Sequence, residues 1–189
     1  MKIGVLALQG AFREHCWMLK RLGVTAVEIK KPEQLDDIAG LIIPGGESTT
    51  IGKLMVEWGL MEKIQSRVKE GMAVYGTCAG MIMLAKEIIG SDQPCLGLMD
   101  VAVRRNGFGR QRESFEAAML VPEFGLEPVC AVFIRAPYIE RAGENVEVMA
   151  IVNDKIVIAR QGKLLVTAFH PELTNDDRIH KYFIAMINE

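Results

Sequence analysis

No stretch of this sequence stays apolar for the roughly 18 residues that a membrane span requires, so membrane-spanning helices drop out of the reading. The apolar run from Ile3 to Leu8 is interrupted by Gln9 and the Arg13-Glu14 pair, too short for the apolar core of a signal segment. A basic excess is also missing. The 22 Lys and Arg stand against 24 Asp and Glu, a formal charge of −2 with a pI near 6.0. Nucleic acids and anionic membranes select basic faces, so a small molecule or another protein is the expected partner, with no nucleic acid and no membrane. Cysteine is scarce. Cys16, Cys78, Cys95 and Cys130 lie 62, 17 and 35 residues apart, which matches neither paired zinc ligands nor a secreted disulfide framework. No metal is expected, and a reducing cytoplasm fits best. Repeats, low-complexity tracts and linkers are absent, so residues 1–189 read as one domain, long enough to bury roughly 70% of its extended surface without staples.

What is present is an alternation of short apolar runs with helical stretches. Lys2 to Leu8 reads as a buried strand, Ala11 to Leu22 as a helix stopped by Gly23, and Val24 to Ile29 as a second strand. Gly40 to Pro44 is wholly apolar, and Ser48 to Gly71 reads as two helical pieces divided near Gly59. Met72 to Cys78 is the next strand, followed by a helical Ala79 to Glu87. Strands apolar on both faces point to a covered parallel sheet, and the order points to βαβ units. From Leu98 to Ile134 the helical period fades into β-prone pieces, Met99–Arg104 and Val129–Arg135, which suggests antiparallel strands and loops. Asn153-Asp154 joins Val146–Val152 to Lys155–Arg160 as a hairpin. Leu164 to Phe169 is a last strand, and Asn175 or Asp176 is placed to cap a final helix.

Three strand ends carry residues with chemistry. Gly76-Thr77-Cys78-Ala79-Gly80 has the form of a nucleophile elbow with cysteine in the serine position. Flanking glycines allow the sharp reversal that lifts a side chain off the sheet edge, and the helix N-terminus behind it favours a thiolate. A free cysteine is, equally, often a small core residue. His170 emerges after the strand Leu164–Phe169, and Glu172, two residues on, lies on the same side of an extended chain, where it can fix the imidazole. Pro44-Gly45-Gly46-Glu47-Ser48-Thr49 sits at another strand-to-helix junction, where Ser48 can cap the helix. A phosphate loop fails there by count, with five residues between Gly46 and Gly52-Lys53 and Leu54 where Ser or Thr is needed. An oxyanion strip, with the amides of Gly46 and Ala79 donating, is the better reading. Arg104, Arg105, Arg110, Arg112 and Arg135 crowd the middle region, where one or two suit an anionic substrate. Cys16, Cys95 and Cys130 read as structural, and His15 and His180, within helical stretches, as packing or surface residues.

Taken together, Gly76–Gly80, Pro44–Thr49 and His170-Pro171-Glu172 resemble the class I glutamine amidotransferases with a Cys-His-Glu triad. Leu8-Gln9-Gly10 with Arg13-Glu14-His15, the stretch Asn106 to Gln111, Ser114-Phe115-Glu116 and Phe133 to Pro137 are similar to the glutaminase subunits of pyridoxal 5′-phosphate synthases. Met81-Ile82 follows Gly80 where most class I enzymes place a Gln, which points to the same vitamin B6 subgroup.

The resemblance covers essentially the whole chain. It implies a three-layer, flavodoxin-like α/β fold whose open, mostly parallel sheet has helices on both faces, with some antiparallel strands in the middle. It also implies that Cys78 attacks the side-chain amide of L-glutamine to form a thioester, that His170 handles the protons and that Glu172 orients His170. Gly46, Glu47, Ser48, Arg105, Ile134 and Arg135 would contact glutamine, and Gln9 would lie near the oxyanion site and the partner. Ammonia would pass to a synthase subunit in a hetero-oligomer, with no cofactor bound by this chain, and the isolated subunit would be poorly active.

Three other readings stay open on the residues. They are the glutaminase of another amidotransferase such as imidazole glycerol phosphate synthase, a cysteine hydrolase of esters or lactones, and a regulatory subunit with a vestigial thiol.

Overall fold

Short apolar runs between glycine turns become the centre of the sheet. The computed structural model describes residues 1–108 and 114–189. In chain order it forms β1 (Lys2–Leu6), α1 (Phe12–Arg21), β2 (Thr25–Ile29), β3 (Gly40–Ile43), α2 (Ser48–Glu57), α3 (Leu60–Lys69), β4 (Ala73–Thr77) and α4 (Ala79–Leu84). There follow β5 (Ala85–Ile88), β6 (Met99–Arg104), β7 (Ser114–Met119), β8 (Val129–Ile134), β9 (Tyr138–Ala142), β10 (Glu147–Val152), β11 (Lys155–Gln161), β12 (Leu164–Thr167) and α5 (Arg178–Ile187). Strand order in the main sheet is β2-β1-β3-β4-β12-β11-β9-β6-β5, with β10 paired to β11 and a separate β7-β8 pair.

The first five strands of that order are mutually parallel, in register Lys2↔Thr25, Ile3↔Gly40, Gly40↔Ala73 and Leu164↔Val74. β3, β4 and β12 are buried at every residue, which requires cover on both faces. The alternation along β4 shows what covers them. Tyr75 and Thr77 point to α1 and α5, Tyr75 against the Phe183 ring and Thr77 against His15. Gly76 points the other way, onto Gly80 and Leu84 of α4. Beyond β12 the sheet turns antiparallel through β11, β9 and β6.

Several expectations change in detail. The helix expected over Ala79–Glu87 ends at Leu84, and Ala85–Ile88 instead runs parallel to β6. The carbonyls of Met83 and Leu84 accept hydrogen bonds from Leu96 and Leu98, so loop amides take up the helix end and tertiary pairing overrides an apolar stretch that suits either state. The last helix has Asp177 at its N-cap position, while the Asp176 carboxylate accepts the Arg178 N–H. Asn153 and Asp154 both take left-handed φ, 50° and 60°, as a two-residue hairpin turn of the primed type demands. β7 and β9 carried no separate signal in the sequence.

Candidate active site

Because β1, β3, β4 and β12 run parallel, the loops that leave their carboxyl ends open on one edge of the sheet. Those loops carry Gln9, Gly45–Ser48, Cys78 and His170. They border a cavity of about 380 Å³, which Arg105 and Asn106 reach from the end of β6 and Ile134 and Arg135 from the end of β8. Among the sequence-predicted residues, Gly46, Glu47, Ser48 and Ala79 line it as well. Glu172 alone sits behind the wall, 4% exposed.

The elbow is built by close approach. A Cβ on Gly76 would lie 2.5 Å from the Gly80 carbonyl, and one on Gly80 would lie 2.1 Å from the carbonyl oxygen of Ile43. Only glycine at both places lets α4 start directly against β3 and β4. Between them Cys78 takes φ 48° and ψ −100°, a sparsely populated conformation for a side-chain-bearing residue. Such strain costs on the order of 1–3 kcal/mol and persists where the surroundings over-determine it. It leaves the sulfur at the cavity, 3.9 Å from the Ile134 carbonyl oxygen and close enough to the His170 imidazole to raise the imidazole pKa.

His170 donates from Nδ1 to Glu172 Oε1 at 2.7 Å. This contact does not arise from an extended chain, as the sequence suggested: Pro171–Leu173 forms a turn of 3-10 helix, begun by the fixed φ of Pro171. The His170 N–H is anchored to the Val132 carbonyl of β8 at 2.9 Å. Its ring packs against Gly45, where a Cβ would come within 2.2 Å of Cε1. Burial by itself would lower the His170 pKa. The neighbouring Cys78 sulfur and the hydrogen-bonded Glu172 carboxylate outweigh it and raise it to about 10. Near neutral pH the ring is therefore an imidazolium, hydrogen-bonded to the Glu172 carboxylate. Burial raises the pKa of Cys16 to about 11 and also raises those of Cys95 and Cys130, so these three stay thiols. Cys130 is exposed on β8 beside Glu116 rather than packed.

The glycine strip is held from three sides. Gly45 donates to Thr77 Oγ1 at 3.0 Å, its carbonyl accepts from Ala11 at 2.9 Å, and the Glu47 N–H donates to Gln9 Oε1 at 2.7 Å. The trans peptide turns the Gly46 N–H away from Ala11. Among the described residues neither the Gly46 nor the Ala79 amide has a hydrogen-bond partner. Ser48 does not cap α2, where Glu47 holds the cap position. Its hydroxyl donates to Gln93 instead, at 3.2 Å.

Gln93 is a residue the sequence reading missed. Its Oε1 also accepts from Arg105 Nη1 at 2.9 Å, while Arg105 Nη2 reaches Glu47 at 3.4 Å. Gln93 thus ties two lining residues together from a loop with no motif of its own. Arg104 faces away and pairs with Glu140 at the surface, and Arg110 and Arg112 lie outside the described residues. His15 and His180 are fully buried, with His15 Nε2 3.4 Å from Glu172 Oε2. Among the described residues no helix is long and apolar enough to cross a membrane.

The chain is similar end to end to known proteins. It is 62% identical over 187 residues, covering 99% of this chain and 100% of the relative, to the pyridoxal 5′-phosphate synthase subunit PdxT of Moorella thermoacetica. It is 59% identical over 189 residues, covering 100% and 98%, to the PdxT of Brevibacillus brevis. A crystal structure of a glutamine amidotransferase superposes with a TM-score of 0.94 at 54% identity, covering 99% of both chains. PurLQS from Thermotoga maritima shares the fold at a TM-score of 0.69 and 14% identity, covering 97% of both. The profile of the SNO glutamine amidotransferase family matches residues 5–189, and the chain belongs to that family.

Proposed function

We propose that Cys78, His170 and Glu172 are the catalytic residues of this glutaminase. The enzyme hydrolyses the side-chain amide of L-glutamine and supplies ammonia for pyridoxal 5′-phosphate synthesis. The observation that supports these residues best is that Cys78 and His170 line one cavity beside the glycine strip, with the His170 ring hydrogen-bonded from behind to Glu172. The Cys78 thiolate attacks the amide carbon, and the carbonyl oxygen becomes an oxyanion facing the amides of Gly46 and Ala79. The His170 imidazolium gives its Nε2 proton to the departing nitrogen, so ammonia leaves and a glutamyl thioester remains on the sulfur. Neutral His170 then takes a proton from water, the hydroxide adds to the thioester, and glutamate departs as the thiolate–imidazolium pair re-forms.

Charge complementarity supports the substrate contacts. Glutamine enters as a zwitterion: Glu47 suits its ammonium, and Arg105 and Arg135 suit its carboxylate. Ser48 and Ile134 complete the wall, and Gln9 steadies the glycine strip through the Glu47 amide. Residues 1–189 act as one glutaminase domain in the cytoplasm, within a hetero-oligomer whose synthase subunit receives the ammonia. Cys78→Ala, assayed for glutamate release with that synthase present, is expected to lose activity by about 10⁴-fold or more. Retained turnover would show that another group is the nucleophile.

A further inference from the structure

We infer that His15, backed by His180, is a positioning residue for the reaction, holding the second oxygen of Glu172 so that the first stays aimed at His170. The inference rests on the triad reading above and adds a part that it does not contain. The chain has three histidines, and all three converge on this carboxylate although His15 and His180 lie 165 residues apart. Glu172 Oε1 accepts from His170 at 2.7 Å, and Oε2 faces His15 Nε2 at 3.4 Å. His15 Nδ1 lies 2.9 Å from His180 Nε2. His15 and His180 are 0% exposed, so bulk water does not reach this line.

The buried ends fix where the protons are. Among the described residues His180 Nδ1 has no hydrogen-bond partner. A buried N–H without an acceptor is the rarer defect, so that nitrogen carries the lone pair and the proton sits on Nε2. His180 Nε2–H therefore donates to His15 Nδ1, which leaves the His15 proton on Nε2. There it donates to Thr77 Oγ1, at 3.2 Å, and lies 3.4 Å from Glu172 Oε2, which has no hydrogen-bond partner among the described residues. Burial lowers the pKa of both rings, His180 to about 3, so both act as neutral dipoles and not as cations. Burial also works against a Glu172 carboxylate, yet the opposing pull of His15 and His170 keeps its pKa below the usual range.

This matters during turnover because His170 alternates between imidazolium and neutral ring. A carboxylate held at one oxygen alone is free to swing or to take up a proton when its partner is neutral, and an N–H dipole beside the second oxygen opposes both. Thr77 extends the effect, since its hydroxyl also accepts the Gly45 N–H and Gly45 packs on the His170 ring. His15, His180, Thr77 and Glu172 do not line the cavity, so the effect belongs in kcat and not in KM.

The test is steady-state glutaminase kinetics with the synthase partner present. His15→Leu is expected to lower kcat about 10- to 100-fold, the range for losing a hydrogen bond to a charged group, with KM within about twofold. His15→Gln carries an amide N–H toward the Nε2 position and is expected to recover most of the loss. Equal kinetics for the two variants, or a KM change that matches the kcat change, would overturn the inference. Glu172→Gln separates the layers: wild-type turnover there would sink the triad reading itself, whereas a disabled Glu172→Gln beside a fully active His15→Leu would sink only the role of His15. Whether or not the leucine variant folds, imidazole nitrogen NMR of the wild-type chain reads the same point. Neutral His15 and His180 rings protonated at Nε2 are expected, and a His15 proton on Nδ1 would contradict the inference.

Discussion

The two halves of the sheet divide the work. The parallel half, β1, β3, β4 and β12, delivers the sulfur, the imidazole and the glycine strip to one edge because parallel strands end on the same side. The antiparallel half delivers Arg105 from β6 and, through the separate β7-β8 pair, Ile134 and Arg135. The reacting atoms thus stand on strands buried at every residue, while the groups suited to recognising the substrate's charged end stand on strands with one wet face. β8 alternates buried with partly or fully exposed residues. Rigid burial suits a bond-making geometry that tolerates little displacement, and a solvated rim suits a charge that must exchange substrate.

The sharpest way to break this division is to damage the antiparallel half alone. Arg105→Ala is expected to raise KM for glutamine about 10- to 100-fold, the worth of a charge-assisted hydrogen bond, with kcat nearly retained. A collapse of kcat instead would place Arg105 among the reacting groups. Next in size is the response of the parallel half to acid. His15 and His180 have folded pKa values below the ordinary 6.5, His180 at about 3, so below pH 6.5 the unfolded chain binds protons that the folded chain refuses. Stability therefore falls as pH drops, on the order of 2 kcal/mol from His180 alone by pH 5. His170 works in the opposite direction: its pKa is raised to about 10, its stabilisation is complete below 6.5, and it is lost as pH rises toward 10. Thermal unfolding across pH 5 to 9 should show a maximum near 6.5, and a flat profile would contradict the assignment. The smallest effect expected is that of Gln93→Leu, which frees Arg105 and Ser48 without removing either, raising KM about 3- to 10-fold at constant kcat.

The same division decided what could be read in advance. β3, β4 and β12 announce themselves as unbroken apolar runs ending in glycine or histidine, and the elbow needs two glycines whose spacing is visible in one line of sequence. Neighbouring parallel strands then bring Cys78 and His170 together with no further information. The antiparallel half hides its elements. Ala85–Ile88 reads equally as the tail of a helix, and Tyr138–Ala142 has no clean alternation of burial. Residue pattern alone showed Arg105 and Arg135 as members of a crowd of arginines, and only the family resemblance singled them out; Arg104, from the same crowd, belongs to the surface. His15 is a different case. A histidine on the buried face of α1 looks like packing, and its approach to Glu172 depends on α1, α5 and the turn after β12 meeting behind β4, which no local pattern encodes. Gln93 leaves no trace because its two hydrogen bonds reach residues 45 positions before it and 12 after it.

The measurement that bears most directly on the whole account is mass-spectrometric mapping of the protein after exposure to a diazo-ketone analogue of glutamine, with the synthase partner present. One adduct is predicted, on Cys78, formed at a rate that excess glutamine suppresses, while Cys16, Cys95 and Cys130 stay unmodified. Loss of glutaminase activity with Cys78 unmodified, or an adduct on any other residue that tracks that loss, would contradict it.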